Sequence, residues 1–295
     1  MKNTIVRTPT AAGQFYPKQA SELTRQLEFF LSKIEEQEEK SQVKFSKKAD
    51  IKNIPPKILI VPHAGYQYSG PVLGAGFAQL INSPIKTVFL LGNSHLEFLS
   101  KACLSGVTAW ETPLGQIKVN QEIVKQLIAK PGWKIDNEAH QHEHSLEVLL
   151  PFLQYVLRKS SPDFNIVPIL ISSFDFNYLE TLADHLAQLF TDQTLLIISS
   201  DLSHYPSGEL ATQVDQELIQ AIVEQDLEKF KSFVVQTSPE ENLQTRACAG
   251  ESIKVGMILA QLLKCKQAQL YHYQHSGHAS QNFAKVVGYA SIGFY

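Results

Sequence analysis

The sequence is poor in the features that mark several large protein classes. Only three of its 295 residues are cysteine, and none sits in a Cys-x-x-Cys pair, so a disulfide scaffold and a conventional structural zinc site are both excluded. Charged residues make up 19%, below the usual quarter, which argues against a long solvated coiled coil. Lys and Arg number 26 against 29 Asp and Glu, so no basic excess is available to hold a nucleic-acid backbone. The apolar runs are short, the longest being of the kind at 195–198, and none approaches the length that spans a bilayer. The first 13 residues lack the apolar stretch of a secretory signal. No Gly-rich phosphate loop, His-Glu-x-x-His or Gly-x-Ser-x-Gly motif is present. The expectation is a cytoplasmic protein with no nucleic-acid or membrane partner.

Hydrophobic residues supply 44% of the chain, enough for a large core. The first 17 residues read as a loop. An amphipathic helix is predicted over 20–34, with Leu23, Leu27, Phe30 and Leu31 at helical spacing. Residues 35–56 are polar and lysine-rich and end in Pro55-Pro56, which reads as a solvated connection on the surface. Beyond them, nearly continuous apolar runs at 57–61, 87–91, 165–171 and 194–199 have the pattern of strands covered on both faces. Helical patterns at 72–81, 122–129, 145–157 and 178–190 fall between them, and others follow at 212–224, 227–235 and 252–263. Closing strands at 269–273 and 285–292 should pair antiparallel. This order predicts one α/β domain, with a largely parallel central sheet and helices on both faces.

In open α/β sheets, ligands bind beyond the carboxyl ends of the strands. Here those ends carry histidine. Pro62-His63-Ala64-Gly65-Tyr66 follows the first run, Gly92-Asn93-Ser94-His95 the second, and Ser200-Asp201-Leu202-Ser203-His204 the run at 194–199. Parallel neighbours lie about 5 Å apart, so side chains from such ends can meet on one ion. A second cluster runs from His140 through His142, Glu143, His144 and Ser145 to Glu147. It opens the helix predicted at 145, which would deliver His144 to the site and leave His140 and His142 facing solvent. Cys248 precedes another predicted helix, whose dipole would favour a thiolate; the alternatives are a small buried residue, or Glu251 as the ligand in its place. Cys103, in an apparent strand, and Cys265, at a helix end, read as packing residues.

Taken in order, the motifs at 62–66, 91–95, 143–147 and 199–204, with Ala12-Gly13-Gln14-Phe15-Tyr16 before them, resemble the Memo family, named for the mediator of ErbB2-driven cell motility. Prokaryotic members are called AmmeMemoRadiSam system protein B, which implies a functional link to a radical-SAM protein. The resemblance covers nearly the whole chain. It implies a fold similar to the class III extradiol dioxygenases (LigB-like), whose non-haem iron is held by two histidines and a carboxylate. Carried over, it places His63, His95 and Cys248 on Fe(II) or copper. His204, with His144 and Asp201, takes the catalytic, proton-handling positions, and Glu143, Phe15, Tyr66 and Glu251 line or support the pocket. Animal members carry tryptophan where this chain has Phe15, and are associated with phosphotyrosine peptides.

Three functions are compatible with these residues. The first is a metal-dependent redox protein. The second is a non-catalytic module that holds a peptide, small molecule or anion in the same pocket. The third is a true ring-cleaving dioxygenase with Glu251 on the metal.

Overall fold

A computed structural model describes residues 5–32 and 54–295. The polar connection expected at 35–56 falls outside the described residues except for its last three positions, as does the end of the first helix beyond Ser32. In chain order the elements are β1 (Val6–Arg7), α1 (Ala20–Ser32), β2 (Ile58–Val61), α2 (Tyr66–Ala78), β3 (Thr87–Asn93), β4 (Ala102–Leu104), β5 (Ala109–Thr112) and β6 (Gly115–Val119). Then come α3 (Gln121–Ile128), β7 (Trp133–Ile135), α4 (Asn137–Gln141), a 3-10 turn (Glu147–Leu149), α5 (Leu150–Leu157), β8 (Asn165–Ile171), α6 (Phe176–Ala187) and β9 (Thr194–Ser199). The chain closes with α7 (Gly208–Val223), α8 (Leu227–Val234), a 3-10 turn (Pro239–Glu241), α9 (Gly250–Leu262), β10 (Ala268–His275), α10 (Gly277–Ser280) and β11 (Gly288–Phe294).

Among the described residues all eleven strands join one sheet, in the order β1-β5-β6-β8-β3-β9-β2-β11-β10, with β4 and β7 branching from β8. The centre, β8-β3-β9-β2, is parallel throughout. Its strands are apolar along their length because helices cover both faces; every residue of β2 and β9 is buried. The closing pair β10 and β11 is antiparallel, as expected, and β11 pairs antiparallel with β2. Short polar side chains start the helices: Asn120, Asp175, Ser207 and Asp226 each accept a backbone N–H from the first turn of α3, α6, α7 and α8.

Two boundaries differ from the sequence pattern because of proline. Helix α2 begins at Tyr66, not 72; Pro71 lies inside it and masks the first turns. The helix expected from 145 opens instead as the 3-10 turn, and α-helical geometry starts at Leu150, with Pro151 in its first turn, where a missing N–H costs nothing. The N-terminal segment is not all loop: Val6 and Arg7 pair in parallel with Ala109 and Trp110.

The topology sets the site. Strands β3 and β2 flank β9, so the three chain ends that carry His95, His63 and Asp201 emerge side by side. Gly92 lets a fourth segment close over them: a Cβ there would lie 3.0 Å from Leu146 and 3.3 Å from the Ser145 hydroxyl.

Candidate metal centre

His63 sits two residues past β2 and is almost fully buried. Its backbone N–H donates to Asp201 Oδ1 at 2.8 Å, which ties it to the end of β9. Its ring Nδ1 lies 2.9 Å from Ser199 Oγ, and that hydroxyl donates its own hydrogen to the Ser145 carbonyl at 2.7 Å. Ser199 must therefore accept from His63, so Nδ1 carries the proton and Nε2 keeps a free lone pair. Burial, followed by the neighbouring His95 and His144 rings, holds the His63 pKa well below its ordinary value, so the ring is neutral at pH 7. The lone pair faces Cys248 Sγ at 3.5 Å.

His95 is oriented by Glu143. Its backbone N–H donates to Oε2 at 2.7 Å and its Nδ1 to Oε1 at 3.1 Å. Burial lowers the His95 pKa, but the hydrogen bond and charge of Glu143 outweigh it and the net direction is up. Burial conversely raises Glu143, and the His95 contacts override it to hold the carboxyl well below the usual range. The same Oε1 accepts the Ser145 N–H at 3.0 Å and lies 3.4 Å from His144 Nδ1. One buried carboxylate thus fixes the His95 ring by Nδ1 and leaves its Nε2 open, the usual arrangement around a metal-binding imidazole, while His144 Nδ1 only lies near the same oxygen without a hydrogen bond to it.

The rings of His63 and His95 are 4.9 Å apart, those of His63 and His144 5.4 Å, and those of His95 and His144 5.2 Å. One ring nitrogen from each lies within 4.8 Å of the others, a grouping compatible with one ion. Phe15 stacks on the outer face of His144 at 4.4 Å.

Cys248 precedes α9, as its sequence suggested. Its Sγ accepts the Asp201 N–H at 3.2 Å, and its N–H donates to the Asp201 carbonyl. The helix dipole does not govern the thiol: burial, followed by the Asp201 carboxylate, pushes its pKa up in the metal-free chain. Asp201 is itself buried, which raises its carboxyl pKa against the pull of His204 and of the His63 and Ala64 N–H groups. His204 Nδ1 donates to the Leu202 carbonyl at 2.8 Å, so its Nε2 is the free nitrogen.

Other expected residues sit elsewhere. Glu251 pairs with Lys254 at 2.9 Å in the first turn of α9; the three side chains that converge among the described residues are His63, His95 and His144, which include neither Glu251 nor Cys248. Tyr66 is a buried pillar whose hydroxyl donates to the Val148 carbonyl; with Phe15 and Tyr16 it lines a separate cavity of about 280 Å³. His142 is exposed as expected, but His140 is not: it is 1% exposed, and its Nε2 donates to the Cys103 carbonyl while its ring meets Trp110 edge-on. Burial lowers its pKa to about 4. The expectation that it faces solvent fails because His140 lies in α4, which turns its ring inward. Cys103 and Cys265 are buried packing residues. Sequence reading missed Ser199 as the partner of His63, and Arg7, which binds Glu147 at 2.7 Å beneath the site. A serine at a strand end and a single arginine in a loop-like segment carry no local signal.

The donor set tests the implied metal. Ring nitrogens left open because Ser199 holds His63 and Glu143 holds His95 by Nδ1, together with a sulfur 3.5 Å from the His63 ring, suit a borderline or soft transition ion and not a hard oxygen-seeking one. The residues fit such an ion. Among the described residues, no helix is long and apolar enough to cross a membrane.

Comparison with known proteins identifies the family. The family model described as Memo-like protein matches residues 7–293. A MEMO1 family protein of Thermoplasma volcanium is 32% identical over 289 residues, covering 98% of each chain. One from Saccharolobus islandicus is 34% identical over 295 residues, covering 98% of this chain and 99% of its own. One from Aquifex aeolicus is 31% identical over 290 residues, at 98% and 99% coverage. An uncharacterized protein of Escherichia coli K12 superposes with a TM-score of 0.48 at 15% identity, over 80% of this chain and 99% of that one, and the assignment does not rest on it. By the match along nearly its full length and by the identity to these relatives, the chain belongs to the Memo family.

Proposed function

We propose that this protein holds a redox-capable ion, Fe(II) or copper, on His63, His95 and Cys248, and acts as a metal-dependent redox protein. The observation that carries the reading is the deduced tautomer of His63. Ser199 fixes the proton on Nδ1, so the Nε2 lone pair points at the Cys248 sulfur. When bound, such an ion supplies one-electron chemistry and Lewis acidity at its open positions.

The remaining residues have assignable work. Asp201 donates its N–H to the sulfur and accepts the His63 N–H on its carboxylate, which holds the two ligands at one distance from each other. Its N–H also favours the thiolate once an ion displaces the thiol proton. Glu143 orients His95. His204, with Nδ1 committed to Leu202, accepts or delivers a proton at Nε2. His95 and His144 are each about a quarter exposed, which leaves a face for a small-molecule or peptide ligand.

Metal analysis of anaerobically purified protein tests the reading. Wild type should carry close to one equivalent of iron or copper, and the His63→Ala/His95→Ala variant essentially none. Full occupancy in that variant would refute it.

A further inference from the structure

Glu143 and His144 lie on a segment that belongs to no strand, between α4 and the 3-10 turn at Glu147. One buried ion pair holds it. Arg7, 2% exposed, donates from Nε to the His140 carbonyl at 2.7 Å, from Nη1 to Glu147 Oε2 at 2.7 Å, and from Nη2 to the Glu143 carbonyl at 2.9 Å. Its guanidinium lies 4.1 Å from the centre of the Trp110 ring. Glu147 is fully buried. Its Oε2 also accepts the Thr10 N–H at 2.9 Å, while Oε1 accepts the Ala11 N–H at 2.8 Å and the Tyr16 hydroxyl at 2.6 Å.

The two side chains therefore grip His144 from both sides. Arg7 holds the carbonyl immediately before it. Glu147 holds the 10–16 loop that lays Phe15 against its ring at 4.4 Å. Burying two charges is a poor way to gain stability, since desolvation offsets most of the attraction; the better-attested use of such a pair is to specify one arrangement.

We propose that Arg7 and Glu147 are positioning residues that set the ion preference of the centre. They hold His144 as a third imidazole, so that the converging nitrogen-only set (His63, His95, His144) competes with the proposed sulfur-containing set, in which Cys248 lies 3.5 Å from His63. The nitrogen set suits Co(II) or Zn(II), whereas the sulfur makes the other set the one that suits Cu(I). Loosening the pair frees His144 and leaves the sulfur set alone. This rests on the metal-binding reading above.

The test is anaerobic titration of the full chain with Co(II) and, separately, Cu(I). Arg7→Lys and Glu147→Gln should each lower Co(II) affinity about 10-fold, as loss of an outer support does, and leave Cu(I) affinity within about twofold. His144→Ala should lose Co(II) affinity to a similar extent, and Glu147→Gln added to it should cost nothing further. In the metal-free protein the His144 Cε1–H resonance, displaced by the stacked Phe15 ring, should move toward the unstacked position in Glu147→Gln while that of His63 stays. Where a charge variant does not fold, Phe15→Leu, which removes the stack and leaves the ion pair, carries the same prediction for the resonance and for Co(II). Equal loss of both ions, full additivity with His144→Ala, or an unmoved resonance would overturn the proposal while wild-type binding keeps the metal reading intact. Wild-type protein that takes up neither ion removes both.

Discussion

Two buried polar clusters lie at the same end of the sheet and use their groups in opposite ways. At the candidate metal centre, Ser199 occupies Nδ1 of His63 and Glu143 occupies Nδ1 of His95, and each leaves the other ring nitrogen uncommitted to it. In α7, 14 residues after Asp201, both oxygens of Asp215 are engaged inside the protein: Oδ1 accepts the Ser203 N–H at 3.0 Å, and Oδ2 accepts the Ser203 hydroxyl at 3.0 Å and the Tyr273 hydroxyl at 2.8 Å. Even the space beside Oδ2 is closed, because Gly288 leaves room for it; a Cβ at that position would overlap the carboxylate. Satisfied polarity anchors the 201–204 loop. Polarity left open beside it is what an ion can use. Burial alone does not separate the two clusters, whereas counting the remaining lone pairs does.

The sharpest way to break this contrast is to remove the sulfur. Cys248→Ser should cost at least about 100-fold in Cu(I) affinity, more than loss of an outer support, yet leave the thermal midpoint of the metal-free protein within a few degrees. Copper titration and melting, done on one sample, check both halves. A large drop in the metal-free midpoint would place Cys248 with the anchoring groups instead.

Asp215→Ala should do the reverse. It strands the Ser203 N–H and two hydroxyls, at a cost of about 3 kcal/mol in urea unfolding. The same side chain gives a pH signature. Burial raises its pKa to about 7 against the pull of Tyr273, Ser203 and Arg246. The folded state then binds the proton more tightly than the unfolded chain. The contribution is fully present below the ordinary carboxylate range and is lost as pH rises toward 7, with a slope of up to about 1.4 kcal/mol per unit. Asp215→Asn, which can donate to both hydroxyls and still accept the N–H, should flatten that slope relative to wild type. Parallel slopes for the two proteins would contradict the assignment.

What the sequence made legible follows from length and repetition. The runs at 165–171 and 194–199 match β8 and β9 residue for residue, because strands covered on both faces need unbroken apolar stretches. His63 and His95 were legible because each stands directly after such a run. Strands β1, β4 and β7, of two or three residues, are too short to carry any pattern; β1 and β4 add to the longer β5 and β8, and β7 adds to β4. His140 was misread because a polar side chain was assigned to solvent, whereas its ring is closed in by Trp110 and a backbone carbonyl. The association of His144 with the other two rings depends on Glu143, Arg7 and Phe15, which lie up to 137 positions away in the chain and whose contacts no local spacing encodes.

A smaller effect than those of Cys248 and Asp215 falls on Ser199. It touches no ion, and its hydroxyl only passes a hydrogen bond from His63 to the Ser145 carbonyl. Ser199→Ala removes both links, so the His63 proton is free to move to Nε2, where it would block the lone pair facing Cys248. Metal affinity should fall by about 10-fold for Co(II) and Cu(I) alike, since His63 belongs to both ligand sets. That equal loss distinguishes it from the unequal losses expected of Glu147→Gln and Cys248→Ser. Nitrogen chemical shifts of the metal-free imidazole report the tautomer directly. Wild type should show the proton on Nδ1 and the variant a mixture. If the variant keeps Nδ1 protonated and binds both ions as wild type does, Ser199 is a packing residue and the tautomer is set by something other than this relay.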